Sequence, residues 1–276
     1  MLHDPLAGAI HKALTVAGSD SGGGAGIQAD LKTFASLGVY GTSAITAVTA
    51  QNTREVTAIA EVPEEVVGAQ IDAILEDIGT RAAKTGMLSS AAIITVVADR
   101  LHAWAVDKLV VDPVMVSKGG QHLLHPAAVA VLRRELIPKS LIVTPNIPEA
   151  SVLAGREIHN DQNIADAARA IGSLGASFVV IKGGHRDGDA IDTVFDGSVI
   201  TQLPAERIVT DNTHGTGCTF SAAIAAYLAL DHDPMEAIAL AKEYISSALR
   251  ASYRIGDGHS PVNHFFGVPE HAAERA

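Results

Sequence analysis

Short apolar runs alternate along this chain with longer segments of helical spacing, and the alternation predicts strands and helices in turn. Residues 13–17 read as a strand that gives way at Gly18 to a glycine loop over 19–26, then to a helix over 27–37. Residues 40–50, rich in Thr, Val and Ile, predict a second strand stopping at Gln51-Asn52; residues 63–78 predict a helix with proline in its first turn. A short strand over 82–85 runs into Gly86-Met87, a helix follows over 89–104, and a strand over 108–111 closes on Asp112-Pro113. Beyond it the pattern predicts helix 126–136, strand 141–144, helices 148–153 and 164–174, and strand 178–181 leading into Lys182-Gly183-Gly184. Repeated strand–helix units imply an α/β fold with a parallel sheet.

Residues 192–195 and 198–203, joined at Asp196-Gly197, predict a hairpin, since Asp-Gly accommodates the positive φ angles of a two-residue turn. Such a hairpin is an antiparallel addition to the sheet. Helices over 219–230 and 234–251 then precede a tail from Ile255 that contains Gly and Pro. With no linker, repeat or low-complexity tract, a single domain over 1–276 is expected, with an N-terminal extension at 1–12 and a tail at 265–276.

Composition supports the α/β reading: 47% of the residues are hydrophobic but only 4% aromatic, so the core must be built from Ala, Val, Ile and Leu. A net charge of −11 argues against a nucleic-acid surface, and any bound phosphate must be held by local N–H groups and a few lysines. One cysteine cannot form an intramolecular disulfide, which fits a reducing cytosol. Residues 1–12 contain no long apolar run, so neither a signal peptide nor a membrane span is indicated, and a soluble cytoplasmic protein is expected.

The stretch Asn212-Thr213-His214-Gly215-Thr216-Gly217-Cys218 places two glycines and the only cysteine where a helix begins. Glycines allow backbone N–H groups to converge, and the helix start adds unpaired N–H groups and positive dipole, a geometry suited to a phosphoryl group in transfer. On these residues alone an ordinary turn with a small buried cysteine stands equally well. The predicted strand ends place Gly18, Gln51, Met87, Asp112, Asn146 and Lys182 along one edge, where open parallel sheets bind ligands.

Gly24-Ala25-Gly26-Ile27-Gln28-Ala29 satisfies a relaxed dinucleotide fingerprint, but the second strand ends in Gln51-Asn52 instead of the acid that would hold a ribose. No glycine loop is followed by Gly-Lys-Ser or Gly-Lys-Thr, so a P-loop is excluded as well. Asn146-Ile147-Pro148-Glu149 reads either as a helix-capping arrangement or as the source of a carboxylate that joins Asp112 at Mg²⁺. No zinc motif of paired histidines and no hydrolase elbow is present.

Three motifs occur in order: Ala17-Gly-Ser-Asp-Ser-Gly-Gly-Gly-Ala-Gly-Ile-Gln-Ala-Asp-Leu-Lys-Thr33, Asn146-x-x-Glu149 and the 212–218 stretch. Together they make residues 13–264 resemble the hydroxymethylpyrimidine/phosphomethylpyrimidine kinases of thiamine biosynthesis, within the ribokinase-like superfamily. The resemblance implies a three-layer αβα sandwich whose mostly parallel sheet carries the site along one edge. It implies a pyrimidine site at Gly18, Asp30, Gln51, Met87 and Val114, and an ATP site at Asn146, Lys182, Thr213 and Lys242. Asp112 and Glu149 are expected near Mg²⁺, and Cys218 in the catalytic position within the turn Gly215-Thr216-Gly217.

The wider superfamily usually carries Asp where this chain has Cys218, whereas the kinases resembled use Cys. A thiol base needs a lowered pKa, which the turn and helix dipole are expected to supply. The resemblance implies a small-molecule acceptor, a homodimer, and no nucleic-acid or membrane partner. Two rival readings accompany it: a pyridoxal kinase, and a non-catalytic nucleotide or pyrimidine sensor.

Overall fold

Leu109–Val111 forms a strand with no polar side chain, a composition that is stable only where both faces are covered. The computed structural model describes residues 10–116, 120, 123–125, 127–184 and 188–267, and in it this strand lies at the centre of a nine-stranded sheet. In chain order the elements are β1 (Lys12–Asp20), α1 (Gly26–Ser36), β2 (Tyr40–Gln51), β3 (Val56–Glu61), α2 (Glu64–Asp77), β4 (Ala82–Thr85), α3 (Ala91–Ala103) and β5 (Leu109–Val111). There follow α4 (Ala128–Val131), β6 (Ile142–Val143), α5 (Ile147–Ala154), α6 (Asp161–Gly172), β7 (Phe178–Ile181), β8 (Asp192–Phe195), β9 (Ile200–Leu203), α7 (Thr216–Ala229) and α8 (Pro234–Arg250).

The sheet order is β3-β2-β1-β4-β5-β6-β7-β8-β9. Strands β2 through β7 in that order pair in parallel, while β3 and the β8–β9 hairpin add antiparallel edges. The expected hairpin forms around Asp196, whose Oδ1 accepts from Ser198 N and Val199 N at 2.9 and 2.7 Å.

Alternate residues of each strand feed two separate cores. Leu14, Ala83, Val111, Val143 and Val179 pack with α2, α3, α4, α5 and α6, whereas Ala13, Ala82, Val110, Ile142 and Val180 pack with α7 and α8, and with Phe34 of α1. This is the expected three-layer sandwich, with the parallel strands buried on both faces. Five alanines in α7 (Ala222, Ala223, Ala225, Ala226 and Ala229) are fully buried, and their small side chains let this helix lie close against the sheet.

Several boundaries differ from the sequence reading. Strand β3 was not expected, and four of its six residues are exposed, so burial imprints no alternating pattern on it. The helix expected at 126–136 is instead the short α4, followed by a π turn at Leu132–Leu136 and a 3-10 turn at Ile137–Lys139; Pro126 lies outside the described residues, as do 1–9 and 268–276. Helix α6 starts earlier than expected because Asn160 accepts from Asn163 N at 2.9 Å and caps it.

Candidate active site

The turn at 212–218 is shaped by contact between two glycine loops. Gly215 has φ of 74°, and a Cβ there would stand 1.8 Å from the carbonyl oxygen of Gly24, so only glycine lets the loops touch. Gly215 also caps α7, which begins at Thr216 and not at 219 as expected. Thr216, Gly217 and Cys218 therefore form the first helical turn, whose N–H groups precede the first bond from Thr219 N to Gly215 O at 2.8 Å. Thr216 Oγ1 donates to Thr213 O at 2.7 Å and fixes the entry to this turn.

Charged groups from two strand ends lie beside it. Lys182, after β7, donates from Nζ to Asp112 Oδ1, after β5, at 2.8 Å. Gly217 faces both: a Cβ there would lie 3.4 Å from Lys182 Nζ and 3.7 Å from Asp112 Oδ2. Asp112 also accepts from Thr144 Oγ1 at 3.4 Å and Ser221 Oγ at 3.3 Å. Burial opposes the charge on Lys182, but the carboxylates of Asp112 and Glu149 hold its pKa above the ordinary lysine value.

Asn146 and Glu149 form a complete capping box at the start of α5: Asn146 Oδ1 accepts from Glu149 N at 2.9 Å and Glu149 Oε2 from Asn146 N at 2.8 Å. The capping alternative is thus realised, and it leaves the Glu149 carboxyl buried beside Asp112. Burial pushes that carboxyl above its usual range; Lys182 pulls it down and Asp112 adds to the rise. Among the described residues, no group of three or more His, Cys, Asp and Glu is placed to hold a metal ion.

Cys218 is half-buried, and its sulfur accepts from Gly26 N–H. The expected lowering of its pKa does not occur. Burial pushes the thiol up to about 11; Lys84 opposes this, while Asp30 and Asp112 reinforce it. Burial and two nearby carboxylates outweigh Lys84 and the Gly26 N–H.

At the other end of the site, Gln51 Oε1 accepts from Thr49 Oγ1 at 3.1 Å, and Gln51 Nε2 lies 3.3 Å from His214 Nε2. His214 Nε2 is also 2.8 Å from Asp20 Oδ2. Asp20 collects the backbone N–H groups of Gly22, Gly24 and Ala25 at 2.8, 3.1 and 2.8 Å, so its carboxylate organises the first glycine loop. Burial works against its ionisation, but His214 and the N–H groups of Gly22 and Ala25 hold its pKa below the ordinary value.

The chain after α8 braces the 212–218 turn from behind. His214 N donates to Ser260 O at 3.1 Å, His214 pairs with Pro261 in an isolated bridge, and Thr219 Oγ1 lies 2.9 Å from His264 Nε2. The same segment reaches the β2–β3 turn, where His259 N donates to Thr53 O at 2.8 Å.

One cavity of about 730 Å³ joins these parts. Its pyrimidine-side candidates Gly18, Gln51, Met87 and Val114 line it together with Asp112 and Glu149. Asn146, Lys182, Thr213 and Lys242 line it as well, as do the four residues of the turn 215–218. Lys242 is tied to Asp192 Oδ2 at 2.7 Å and to Ala190 O at 2.9 Å.

The sequence pattern described as phosphomethylpyrimidine kinase matches residues 20–263. The chain belongs to the phosphomethylpyrimidine kinase family. It is 53% identical over 257 residues to the hydroxymethylpyrimidine/phosphomethylpyrimidine kinase of Rhizobium meliloti, covering 92% of this chain and 96% of that one. It is 51% identical over 258 residues to the thiamine biosynthesis bifunctional protein ThiED of Geobacter sulfurreducens, covering 93% of this chain but only about half, 53%, of that protein. Among solved structures, the phosphomethylpyrimidine kinase of Clostridium difficile is 46% identical with a TM-score of 0.78, over 86% of this chain and 99% of that one. The pyridoxal kinase of Bacillus subtilis, solved as an ADP complex, is 41% identical with a TM-score of 0.87, over 93% and 98% of the two chains. The ribokinase-like arrangement expected from the sequence is therefore the fold of this family member.

Against the family expectation, Asp30 does not reach the cavity. It has no exposed surface and is held by Thr15 Oγ1 at 2.6 Å and Lys84 Nζ at 2.9 Å. The reason is legible afterwards: Ile27, Asp30 and Phe34 share one helical stripe, and that stripe faces the sheet. Sequence reading missed Lys84, although a lysine within the short strand Ala-Ala-Lys-Thr is itself a signal of a buried charge. It also gave Asp20 no role, and it missed residues 205–208, a lining segment that carries no motif.

Proposed function

We propose that this chain catalyses the ATP-dependent phosphorylation of 4-amino-5-hydroxymethyl-2-methylpyrimidine to its monophosphate and then to its diphosphate, in thiamine biosynthesis. The observation that carries the reading is the convergence of the α7 start, Lys182 and Asp112 on Gly217, in the same cavity that Gln51 and Met87 line. An aminopyrimidine edge offers both a donor and acceptors, and an amide such as Gln51 matches both.

In the first step the hydroxymethyl oxygen bonds to the γ-phosphorus, the bond to the ADP oxygen breaks, and the alcohol proton passes to Cys218 when its sulfur is ionised. In the second step a phosphate oxygen already carries the electron pair, so positioning and charge neutralisation dominate. The N–H groups of Gly217 and Cys218 face the transferring group, while Lys182, Thr213, Asn146 and Lys242 hold the nucleotide. Asp112 and Glu149 suit Mg²⁺, which takes few carboxylates and otherwise binds water and phosphate oxygens. The buried Glu149 carboxyl, strained by Asp112's charge, is the group a cation would relieve. When bound, the ion neutralises phosphate charge.

A pyridoxal kinase is the second reading, favoured by the solved pyridoxal kinases, among them that of Staphylococcus aureus in complex with AMP-PCP and pyridoxal, 37% identical with a TM-score of 0.87. ADP release measured with hydroxymethylpyrimidine, its monophosphate and pyridoxal separates these readings. Turnover of both pyrimidines above pyridoxal is expected, pyridoxal as the preferred acceptor transfers the assignment to the second reading, and no release with any of them makes the chain a binding protein. ATP-consuming chemistry keeps the cytoplasmic expectation. A homodimer belongs to the same proposal, supported by Tyr40 and Val48, exposed at 56% and 51% along β2 beside the edge strand. Among the described residues no helix is long and apolar enough to cross a membrane.

A further inference from the structure

Asp20, Thr49, Gln51 and His214 meet at the end of β2, all four lining the cavity, and their protons can be counted. Asp20 accepts from three backbone N–H groups, Gly22 on Oδ1 and Gly24 and Ala25 on Oδ2, so its carboxylate has no proton to give. His214 Nε2, 2.8 Å from Asp20 Oδ2, therefore carries the hydrogen of that bond, whether the ring is neutral or charged. A ring nitrogen that donates has no lone pair for Gln51 Nε2, 3.3 Å away. The Thr49 hydroxyl has one proton, and the Ser19 carbonyl takes it at 2.8 Å, nearer than Gln51 Oε1 at 3.1 Å. With Oε1 toward Thr49 and Nε2 toward His214, the amide sets lone pair against lone pair and N–H against N–H. A half-turn about its last bond satisfies both: Nε2 donates to Thr49 Oγ1, and Oε1 accepts from His214 Nε2–H in a bond shared with Asp20.

The groups that fix this orientation are themselves held. A Cβ at Gly24 would come 2.4 Å from His214 Cδ2 and 3.1 Å from Pro261 Cβ, so the imidazole packs directly on the first glycine loop. Gln51 is clamped through its backbone: its N–H donates to Ser21 Oγ and its carbonyl accepts from that hydroxyl, both at 2.8 Å. The β2–β3 register shifts between Ala50 and Gln51, the kind of break that re-aims a side chain beside a site. Among the described residues, each end of the turned amide then has one bonding position left, an N–H and an oxygen lone pair. The complementary ligand edge is an exocyclic amine next to a ring nitrogen.

We infer that His214, backed by Asp20, is a positioning residue that determines acceptor specificity: its Nε2–H holds the Gln51 amide with oxygen toward itself and nitrogen toward Thr49, so that an acceptor with an amine beside a ring nitrogen is preferred over one with hydrogen or an aldehyde in place of the amine. This rests on the kinase reading for its acceptor, whereas the placement of the proton is read without any turnover.

Two measurements on the full chain test it. Spectra of ¹⁵N-histidine-labelled protein, with His214→Leu to assign the signal, are recorded at about pH 9, above the ordinary histidine range. A proton on His214 Nε2 is expected; a bare Nε2 would overturn the inference whatever the protein phosphorylates. ADP release at saturating ATP then gives KM for hydroxymethylpyrimidine in a double-mutant cycle of Gln51→Leu and His214→Leu. Each single variant is expected to raise that KM about tenfold, and the double variant no further than Gln51→Leu alone. KM for ATP is expected to stay within about twofold of the wild type. His214→Gln, which keeps a donor near the place of Nε2, is expected to restore most of the preference over the analogue with hydrogen in place of the 4-amino group. Effects of the two substitutions that multiply in the double variant would overturn the inference, as would a loss of kcat with KM for the pyrimidine unchanged, the result of a histidine that only holds the turn. A wild type that turns over no pyrimidine defeats the kinase reading, and the specificity with it, while the nitrogen spectrum still decides the proton.

Discussion

A thiol at about 11 is almost wholly protonated at neutral pH, so Cys218 gains base strength only as the medium becomes alkaline. Below that value each pH unit multiplies the thiolate fraction about tenfold. Phosphorylation of the alcohol should therefore accelerate with pH from about 7 to about 9, while phosphorylation of the monophosphate stays nearly level. Initial rates of ADP release across that range check this, and Cys218→Ala should remove the slope of the first step without abolishing the second. An equal slope in both steps would mean that Cys218 is not the base. The glycines and the cysteine of this turn were legible in sequence because each is a residue type with few other uses. The protonation state was not, because it depends first on burial and then on Lys84, Asp30 and Asp112, each more than 100 residues away along the chain.

At the scale of elements, the site depends on how helices begin. Helix α5 starts with the reciprocal bonds of Asn146 and Glu149, and its first turn points the Glu149 carboxyl toward Asp112 and Lys182. Asn146→Ala should cost about 1 kcal/mol in urea unfolding, the usual worth of a side-chain cap, and should free Glu149 N. An unchanged unfolding midpoint would mean that the cap contributes nothing. Most elements were legible because β1, β5 and β7 are short apolar runs covered on both faces, and α2 carries its buried residues at helical spacing. Strand β3 was not, since its residues are mostly exposed and it is held by antiparallel pairing to β2 over Ala47–Gln51 and not by burial. The start of α7 was misplaced for a different reason: Gly215 ends the turn through its left-handed backbone, a property that a sequence permits but does not announce.

At the scale of the whole molecule, Asp20 ties the end of β1 to the first glycine loop and to His214, which links the sheet to the 212–218 turn. Its pKa is lowered in the folded state, so the stability it contributes is present above the unfolded carboxylate value of about 4 and is lost as pH falls through the lower folded value. Asp20→Asn should therefore destabilise the chain at neutral pH, and the difference from wild type should shrink in acid; denaturant midpoints at both pH values measure it. A difference that is constant with pH would assign the bonds no electrostatic part. The parallel pairing of the central strands was readable from repeated strand–helix units, as was the edge along which the candidate residues line one cavity, but which distant segments meet there was not.

The bracing of the 212–218 turn by residues 255–264 bears on when the chain can close during synthesis. Every strand of the sheet and the turn itself leave the ribosome before Ser260, Pro261 and His264 do. A domain folds as a unit. A nascent chain released only to Arg250 therefore already holds the lysines of the cavity, while His214 and Thr219 still lack their partners.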